Sequence, residues 1–414
     1  MVKVSVIMPV YNASQFLKFS CESVAKQTLK DLELICVDDG STDESLETLN
    51  KLKEKYSFIK IFSQKNKGPG NARNLGLSKA IGEYVAFLDA DDKFIDETAL
   101  EKMYFYGFKN NANIVCGNLK RITQTGELDE NYDYENARFK YFSKKDIILP
   151  VEYGIPFAFY RNLFKRDFLE KNNIKFPDYR FGEDPIFLTK ALINVEELHV
   201  LCTDLYGYNH SIGDGVNMKI DTFEKKHDYI QHFKDTFDML KDNSFMLSYE
   251  IYKNEFVEYI LFLDNIFDED IKICVKDIFS DFEKYFDKTE LGFQYLDMII
   301  NSKEDLINKY QEFIDIKKYL IEETMIDDNF IDIDYLRKYM AICENDNSPM
   351  LNRASIIAIK DVERDAYNDR NELIENLEFI TNEINDKIYN NKSIFYSSSR
   401  KIAKPLKKIV KYFR

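Results

Sequence analysis

No glycine follows the first apolar run of this chain. Pro9-Val-Tyr-Asn12 stands where a dinucleotide-binding fold would carry its GxGxxG turn, so a dinucleotide fold is not expected. Cysteine is scarce and scattered: Cys21, Cys36, Cys116, Cys202, Cys274 and Cys343 show no CxxC spacing. That argues against a zinc site or a disulfide framework and for reduced, mostly buried thiols in a cytoplasmic protein. No apolar run approaches the roughly 20 residues needed to cross a bilayer. The first residues read as a strand, with no charged region followed by an apolar one, so no secretory signal is expected. Positive charge is in deficit, 57 Lys and Arg against 72 Asp and Glu for a net charge of -15, which excludes a general nucleic-acid binder. An anionic substrate would need local help, such as a metal. Tryptophan is absent, and phenylalanine and tyrosine supply all of the 14% aromatic content.

What is present is a globular composition, 45% hydrophobic over 414 residues, enough for about two or three domains of roughly 150 residues each. In the first half, apolar runs alternate with helical periodicity. Lys3 to Pro9, Leu32 to Val37, Phe58 to Phe62 and Tyr84 to Leu88 read as buried strands. Between them lie helices opened by Ser14, by a Ser41/Glu44 capping box, and after the Gln64 to Gly70 loop. A helix near Glu97 to Phe108 and a strand near Ile114 to Cys116 extend the pattern. Repeated strand-helix alternation predicts a mostly parallel sheet with right-handed crossovers and helices on both faces.

Two of these strands end in acids, Asp38-Asp39 and Asp89-Ala-Asp-Asp92. Parallel neighbours place their C-terminal ends on one edge, so both clusters line one crevice. Carboxylates crowded at a strand tip repel unless a positive charge lies between them, and a divalent cation with oxygen ligands is the usual answer. An EF-hand loop is not the reading, because Lys93 stands at its fifth position. Further on, Glu183 and Asp184 precede an apolar helix from Ile186 to Ile193. Acids there suit the helix dipole, and an acid beside the crevice also suits a general base. His210, among tyrosines, reads either as a core residue or as a further metal ligand.

Five segments stand in a telling order: Val6-Ile-Met-Pro-Val-Tyr-Asn12, Val37-Asp-Asp-Gly-Ser-Thr-Asp43, Asn66-Lys-Gly-Pro-Gly-Asn-Ala-Arg-Asn74, Phe87-Leu-Asp-Ala-Asp-Asp92 and Gly182-Glu-Asp-Pro-Ile-Phe187. Over about the first 220 residues the chain resembles the inverting, nucleotide-sugar-dependent glycosyltransferases of family 2, of bacterial surface-polysaccharide type, with the GT-A fold. The resemblance implies that Pro9, Val10 and Tyr11, with Asn12, flank the nucleobase. Asp39, with Asp38 beside it, would accept from the uracil imide, and Asn66, Gly70 and Arg73 would close over the nucleotide. Asp89, Ala90 and Asp91 match the DxD motif. There Asp89 lies near ribose and metal waters, Asp91 is a direct Mn²⁺ or Mg²⁺ ligand, and His210 falls where some relatives supply another ligand. Asp184 matches the catalytic base, with Glu183 as its neighbour.

Beyond about Phe223 the pattern changes to long helical segments. Ile251, Glu255, Phe256, Tyr259, Ile260 and Leu263 form one amphipathic stripe, and Leu296, Ile299 and Ile300 another. Leu373, Leu377, Ile380, Ile384 and Ile388 suggest a helix-pair contact between two copies of the chain. The last segment interleaves Arg400, Lys401, Lys404, Lys407, Lys408, Lys411 and Arg414 with apolar residues, the pattern of a helix that rests on anionic lipid. The expectation is a catalytic domain over 1–223, a helical domain over 224–392 and a basic tail over 393–414. The enzyme would move a hexosyl or N-acetylhexosaminyl group from a UDP-sugar to a glycan or lipid-linked glycan. It would work on the cytoplasmic face of the cell membrane, in capsule, lipooligosaccharide or other surface-polysaccharide synthesis. Two other readings are a sugar nucleotidyltransferase, which would carry a glycine-rich basic loop after the first strand, and a non-catalytic nucleotide-sugar-binding scaffold, in which Asp184 would be dispensable.

Overall fold

Apolar residues on consecutive positions make strands that are buried on both faces, and the centre of the sheet is built from such runs. In the computed structural model, β1 (Val4–Val10), β2 (Leu32–Asp38) and β4 (Tyr84–Phe87) are buried almost throughout. The structure describes residues 1–123, 126–128, 141–209, 220–261, 268–288 and 290–301. The remaining strands are β3 (Ile59–Ser63), β5 (Lys93–Phe94), β6 (Ile114–Ile122), β7 (Asp146–Ile148), β8 (Asn162–Lys165) and β9 (Leu198–Asn209). They form one sheet in the order β3-β2-β1-β4-β8-β6-β9-β5, with β7 also on β9. The β3-β2-β1-β4 half is parallel, and β8 pairs antiparallel with both β4 and β6. Because β6 and β9 are parallel, β1, β2, β3, β4, β6 and β9 all point their C-terminal ends to the same edge.

The helices are α1 (Ser14–Ala25), α2 (Ser45–Lys55), α3 (Pro69–Lys79), α4 (Ala99–Asn110), α5 (Arg166–Lys171) and α6 (Glu183–Ile193). They continue with α7 (Phe223–Asp242), α8 (Met246–Leu261), α9 (Glu269–Ile278) and α10 (Leu291–Asn301). Helix α3 lies very close to the sheet: a Cβ on Gly76 would come within 2.4 Å of Ile7 Cγ2. Two expected helix starts differ. Ser14 is already helical, and its N–H is accepted by Asp43. The Ser41/Glu44 box does not form, because the Ser41 hydroxyl accepts from Asn12 N–H instead and α2 begins at Ser45. In both places side chains are taken up in joining the β1 and β2 tips, which is a longer-range demand than a local cap.

The chain divides into a compact unit over Met1–Tyr252 and a second beginning at Lys253. The first unit contains α7, so it runs past the 223 boundary read from the pattern change. Within the second, Asp268 caps α9 by accepting Ile271 N–H at 3.0 Å, Phe256 stacks on Phe279 at 4.4 Å, and the buried Lys253 ammonium pairs with Glu290 at 2.9 Å. Phe256, Ile260, Leu296 and Ile299 of the two expected stripes are buried. His210, Leu263, Cys343, the 373–388 stripe and the basic tail lie outside the described residues. Among the described residues no helix is long and apolar enough to cross a membrane.

Candidate active site

At the nucleotide end of the expected crevice, the tips of β1 and β2 are knitted together. Asp39 N–H donates to Val10 carbonyl at 2.8 Å, and Asp38 stands opposite Val10 in the register. Asp38 accepts Ser41 N–H at 3.2 Å, while Asn12, in left-handed backbone with φ 48, accepts Thr42 N–H at 2.8 Å. The buried Asp39 carboxylate receives the Gln64 amide at 2.8 Å, Lys67 N–H at 2.9 Å and Gly68 N–H at 2.8 Å. It thereby draws the loop before α3 onto the end of β2. Asn66 in that loop accepts from Arg180 through both its carbonyl and its side-chain oxygen, at 3.4 Å each. Arg180 N–H is itself held by Asp228 of α7 at 2.8 Å.

Arg73 is the centre of the other half. It sits on α3 and is only 4% exposed. Its guanidinium reaches Asp89 at 2.7 Å, Glu183 at 2.6 Å and Asp184 at 3.3 Å, and it lies against the rings of Phe159 at 5.0 Å and Phe176 at 5.3 Å. Although burial works against its charge, Asp89, Asp184 and Glu183 hold the guanidinium protonated. Helix α3 is latched to the segment before α6 by Asn74, whose amide donates to the Phe176 carbonyl at 2.9 Å and accepts Phe176 N–H at 3.0 Å. Asn71 adds a bond to Asp178 at 2.6 Å. Gly70 is needed for this approach, since a Cβ there would meet Glu183 Cγ, Phe176 Cβ and Pro177 carbonyl at 3.2 Å. Gly182, with φ 87, turns the chain into α6, so that Glu183 and Asp184 form the helix's first turn. Asp184 keeps 30% of its side chain exposed. Burial and the Glu183 charge push its carboxyl well above the usual range, with Arg73 opposing.

The acidic turn after β4 is stitched to the end of β9. Tyr206 hydroxyl donates to Asp92 at 2.5 Å and accepts Asp89 N–H at 3.1 Å, and Asp92 also accepts Asn209 N–H at 2.7 Å. Asn209 donates its amide to the Asp91 carbonyl at 3.3 Å. Asp92 is 2% exposed and pushed well above the carboxylate range by burial and by Asp91 and Asp89. Asp91 differs from its neighbours: among the described residues no side chain bonds its carboxylate. Burial and Asp89 raise it to about 6.

Three or more His, Cys, Asp or Glu side chains do not converge into a preformed metal cage among the described residues. The residues nevertheless fit a hard divalent cation of the kind held by one or two carboxylates and completed by substrate phosphate oxygens. Asp91 supplies a carboxylate that no side chain bonds among the described residues, and Asp89 stands beside it with one oxygen on Arg73.

The structure thus gathers Arg73, Asp89, Glu183 and Asp184, and separately Val10, Asn12, Asp38, Asp39 and the Asn66 loop, all at the C-terminal edge of the strands. Sequence reasoning missed the aromatic and amide side of the site: Phe159, Tyr160, Phe176, Tyr206 and Asn209. Only Tyr206 and Tyr208 carried a signal, because a two-residue spacing on a strand puts both rings on one face. Both stack on Tyr160, at 4.3 and 6.2 Å.

The model of the family described as Glycosyl transferase family 2 matches residues 5–168. An uncharacterized glycosyltransferase of Haemophilus influenzae is 37% identical over 187 residues, which cover 44% of this chain and 70% of that protein. A poly(ribitol-phosphate) beta-N-acetylglucosaminyltransferase, TarP of Staphylococcus aureus, is 36% identical over 225 residues, covering 51% of this chain and 66% of that protein. Among solved structures, S. aureus TarS 1-349 in complex with UDP-GlcNAc superposes with a TM-score of 0.58 at 19% identity, covering 75% of this chain and 92% of that one. That likeness concerns the fold. The chain spans between 34% and 66% of the length of three curated relatives it matches.

Proposed function

This chain belongs to glycosyl transferase family 2, with the GT-A fold, and we propose that it is an inverting glycosyltransferase. It takes a hexosyl or N-acetylhexosaminyl group from a nucleotide sugar, a UDP-sugar in the first instance, and places it on a hydroxyl of a surface glycan or lipid-linked glycan. The observation that carries this reading is the meeting of Asp89 and Asp184 on one buried guanidinium at the strands' C-terminal edge. An acid at the diphosphate side and an acid at the acceptor side are thereby fixed relative to each other. The solved TarS complex with UDP-GlcNAc, whose fold this chain shares, supports a UDP-sugar donor, and similarity to TarP, a beta-N-acetylglucosaminyltransferase, supports an N-acetylhexosaminyl group.

In this reading the β1 and β2 tips, with Tyr11, Asn12, Asp38 and Asp39, take the nucleoside. Asp184 removes the proton from the acceptor hydroxyl. That oxygen bonds to the anomeric carbon from the face opposite the nucleotide, and the bond to the diphosphate breaks with its electron pair. A carboxyl held above its usual range is a better proton acceptor near neutral pH than an ordinary one, and the Asp184 environment has that effect. Arg73 holds Asp184 at its working position while sharing its charge with Glu183 and Asp89. Asp91, with Asp89, would hold Mn²⁺ or Mg²⁺, and His210 would be a further ligand; such a cation supplies Lewis-acid neutralisation of the charge that develops on the departing diphosphate.

The basic 393–414 segment would bring the enzyme to an anionic membrane face, and the 373–388 stripe would pair two copies. Vesicle co-sedimentation that survives truncation after Tyr396 would rule out the first. The reaction itself is tested by nucleotide release from the purified full chain, using UDP-, GDP-, CDP- and dTDP-sugars with and without Mn²⁺, and Asp91→Ala alongside. Release from one donor that needs the metal and falls about 100-fold or more in the variant is expected. Equal release by both proteins would contradict the role given to Asp91.

A further inference from the structure

Tyr160 lies where the two halves of the crevice meet, and its hydroxyl has been left without a bond. Its ring is 8% exposed, but the hydroxyl oxygen is not itself a buried atom lacking a partner: it has no hydrogen-bond partner among the described residues because it opens to solvent. The other buried tyrosines nearby are all engaged. Tyr84 bonds the Ala112 carbonyl, Tyr104 bonds Glu83, Tyr153 accepts from Arg161 and Asn162, and Tyr206 bonds Asp92 and Asp89 N–H. A buried ring that keeps its hydroxyl open to solvent beside the crevice offers that hydroxyl to a ligand.

Its position indicates which ligand. Tyr160 belongs to a short 3-10 turn, Phe159–Arg161, entered through Ala158 in left-handed backbone with φ 59, a conformation a non-glycine residue adopts only where its surroundings impose it. The preceding Phe159 ring packs on the Arg73 guanidinium. The Tyr160 ring itself is stacked on Tyr206 at 4.3 Å, and Tyr206 holds the Asp89–Asp92 turn. Burial, the Tyr208 phenol and the Asp92, Asp184 and Asp89 carboxylates all oppose ionisation of Tyr160. The phenol is therefore neutral, and it feels charge from both the diphosphate side and the base side. In a displacement with inversion the leaving group and the attacking oxygen lie on opposite sides of the sugar, so a group beside both the Asp89 turn, through Tyr206, and the Arg73–Asp184 pair, through Phe159, is placed to meet the sugar itself.

We propose that the Tyr160 hydroxyl is a substrate-contacting group that hydrogen-bonds a hydroxyl of the sugar being transferred. This rests on the glycosyltransferase reading above. A phenol both donates and accepts, which suits a sugar hydroxyl, and the stack of its ring against Tyr206 and Tyr208 fixes which hydroxyl it meets. It thereby helps to set the choice of donor sugar.

The test is Tyr160→Phe in the full chain, compared with wild type by calorimetric titration and thermal melting. The ligands are the sugar nucleotide found in the release panel and the corresponding nucleoside diphosphate. The variant should bind the diphosphate as wild type does and the sugar nucleotide about tenfold more weakly, the scale of one hydrogen bond. Its melting temperature should not fall, because the free protein loses no bond. Equal affinity for the sugar nucleotide, equal weakening of both ligands, or a lowered melting temperature would each overturn the assignment. A wild type that binds none of the panel would instead overturn the glycosyltransferase reading on which it rests.

Discussion

Arg73 places one positive charge among Asp89, Glu183 and Asp184, so the site is electrostatically underfilled before any ligand enters. The resemblance of the Asn66–Asn74 segment to its family implied that Arg73 lies near base or phosphate. In the structure it pairs with Asp89, Glu183 and Asp184, and in the proposed reading these pairs also set the two acidic groups relative to each other. Elsewhere in the same unit, carboxylates are held in the opposite sense. Asp96 accepts Thr98 N–H at 2.8 Å, Thr98 hydroxyl at 2.6 Å, Thr203 hydroxyl at 3.2 Å and Lys102 at 2.9 Å. Against burial, which acts upward, these partners bring it down to about 2. A carboxyl whose folded value lies below its unfolded value stabilises the fold fully above about pH 4 and ceases to do so as pH falls to about 2. Asp96→Asn should therefore cost on the order of 1–2 kcal/mol at pH 7 and almost nothing at pH 2. Denaturant melts at the two pH values check this, and an equal loss at both would show that the charge is not what Asp96 contributes.

Among the elements, α3 and the segment leading into α6 matter most, because their contact brings residues about 110 positions apart in the chain onto one guanidinium. Asn74 makes that contact specific by satisfying both backbone groups of Phe176. Asn74→Ala leaves two partly buried backbone groups unpaired, at about 1–3 kcal/mol. It should also slow sugar transfer by more than the loss of stability explains, since Asp184 loses its fixed distance from Asp89. Thermal melting and turnover measured together check this; a variant that is less stable but turns over normally would show that the latch only supports the fold. The β1, β2 and β4 strands and the acids at their tips were legible in the sequence, because buried parallel strands leave continuous apolar runs and sharp polar ends. The α3-to-α6 latch was not, because an asparagine bonding a distant backbone leaves no periodicity. Strand β8 was missed for a related reason: Asn162–Lys165 is four residues long and carries only two apolar side chains. Nor was β9 read as one strand, since Leu198–Asn209 alternates irregularly around the acidic and polar Thr203-Asp204.

At the scale of the molecule, a mixed sheet brings two clusters to one edge: the β1 and β2 tips, which in the proposed reading take the nucleoside, and the acids after β4 and on α6 with the end of β9, which in that reading do the chemistry. The central claim is that Asp184 on this edge serves as the base of an inverting sugar transfer. Its carboxyl is pushed up by burial and by Glu183, so replacing it with a neutral isostere removes a repulsion and should not destabilise the fold. The decisive measurement is turnover and binding of the panel's sugar nucleotide by Asp184→Asn against wild type. The variant should bind the donor as wild type does and melt no lower, while transfer falls by about 100-fold or more. An Asp184→Asn protein that transfers sugar at the wild-type rate would contradict the mechanism.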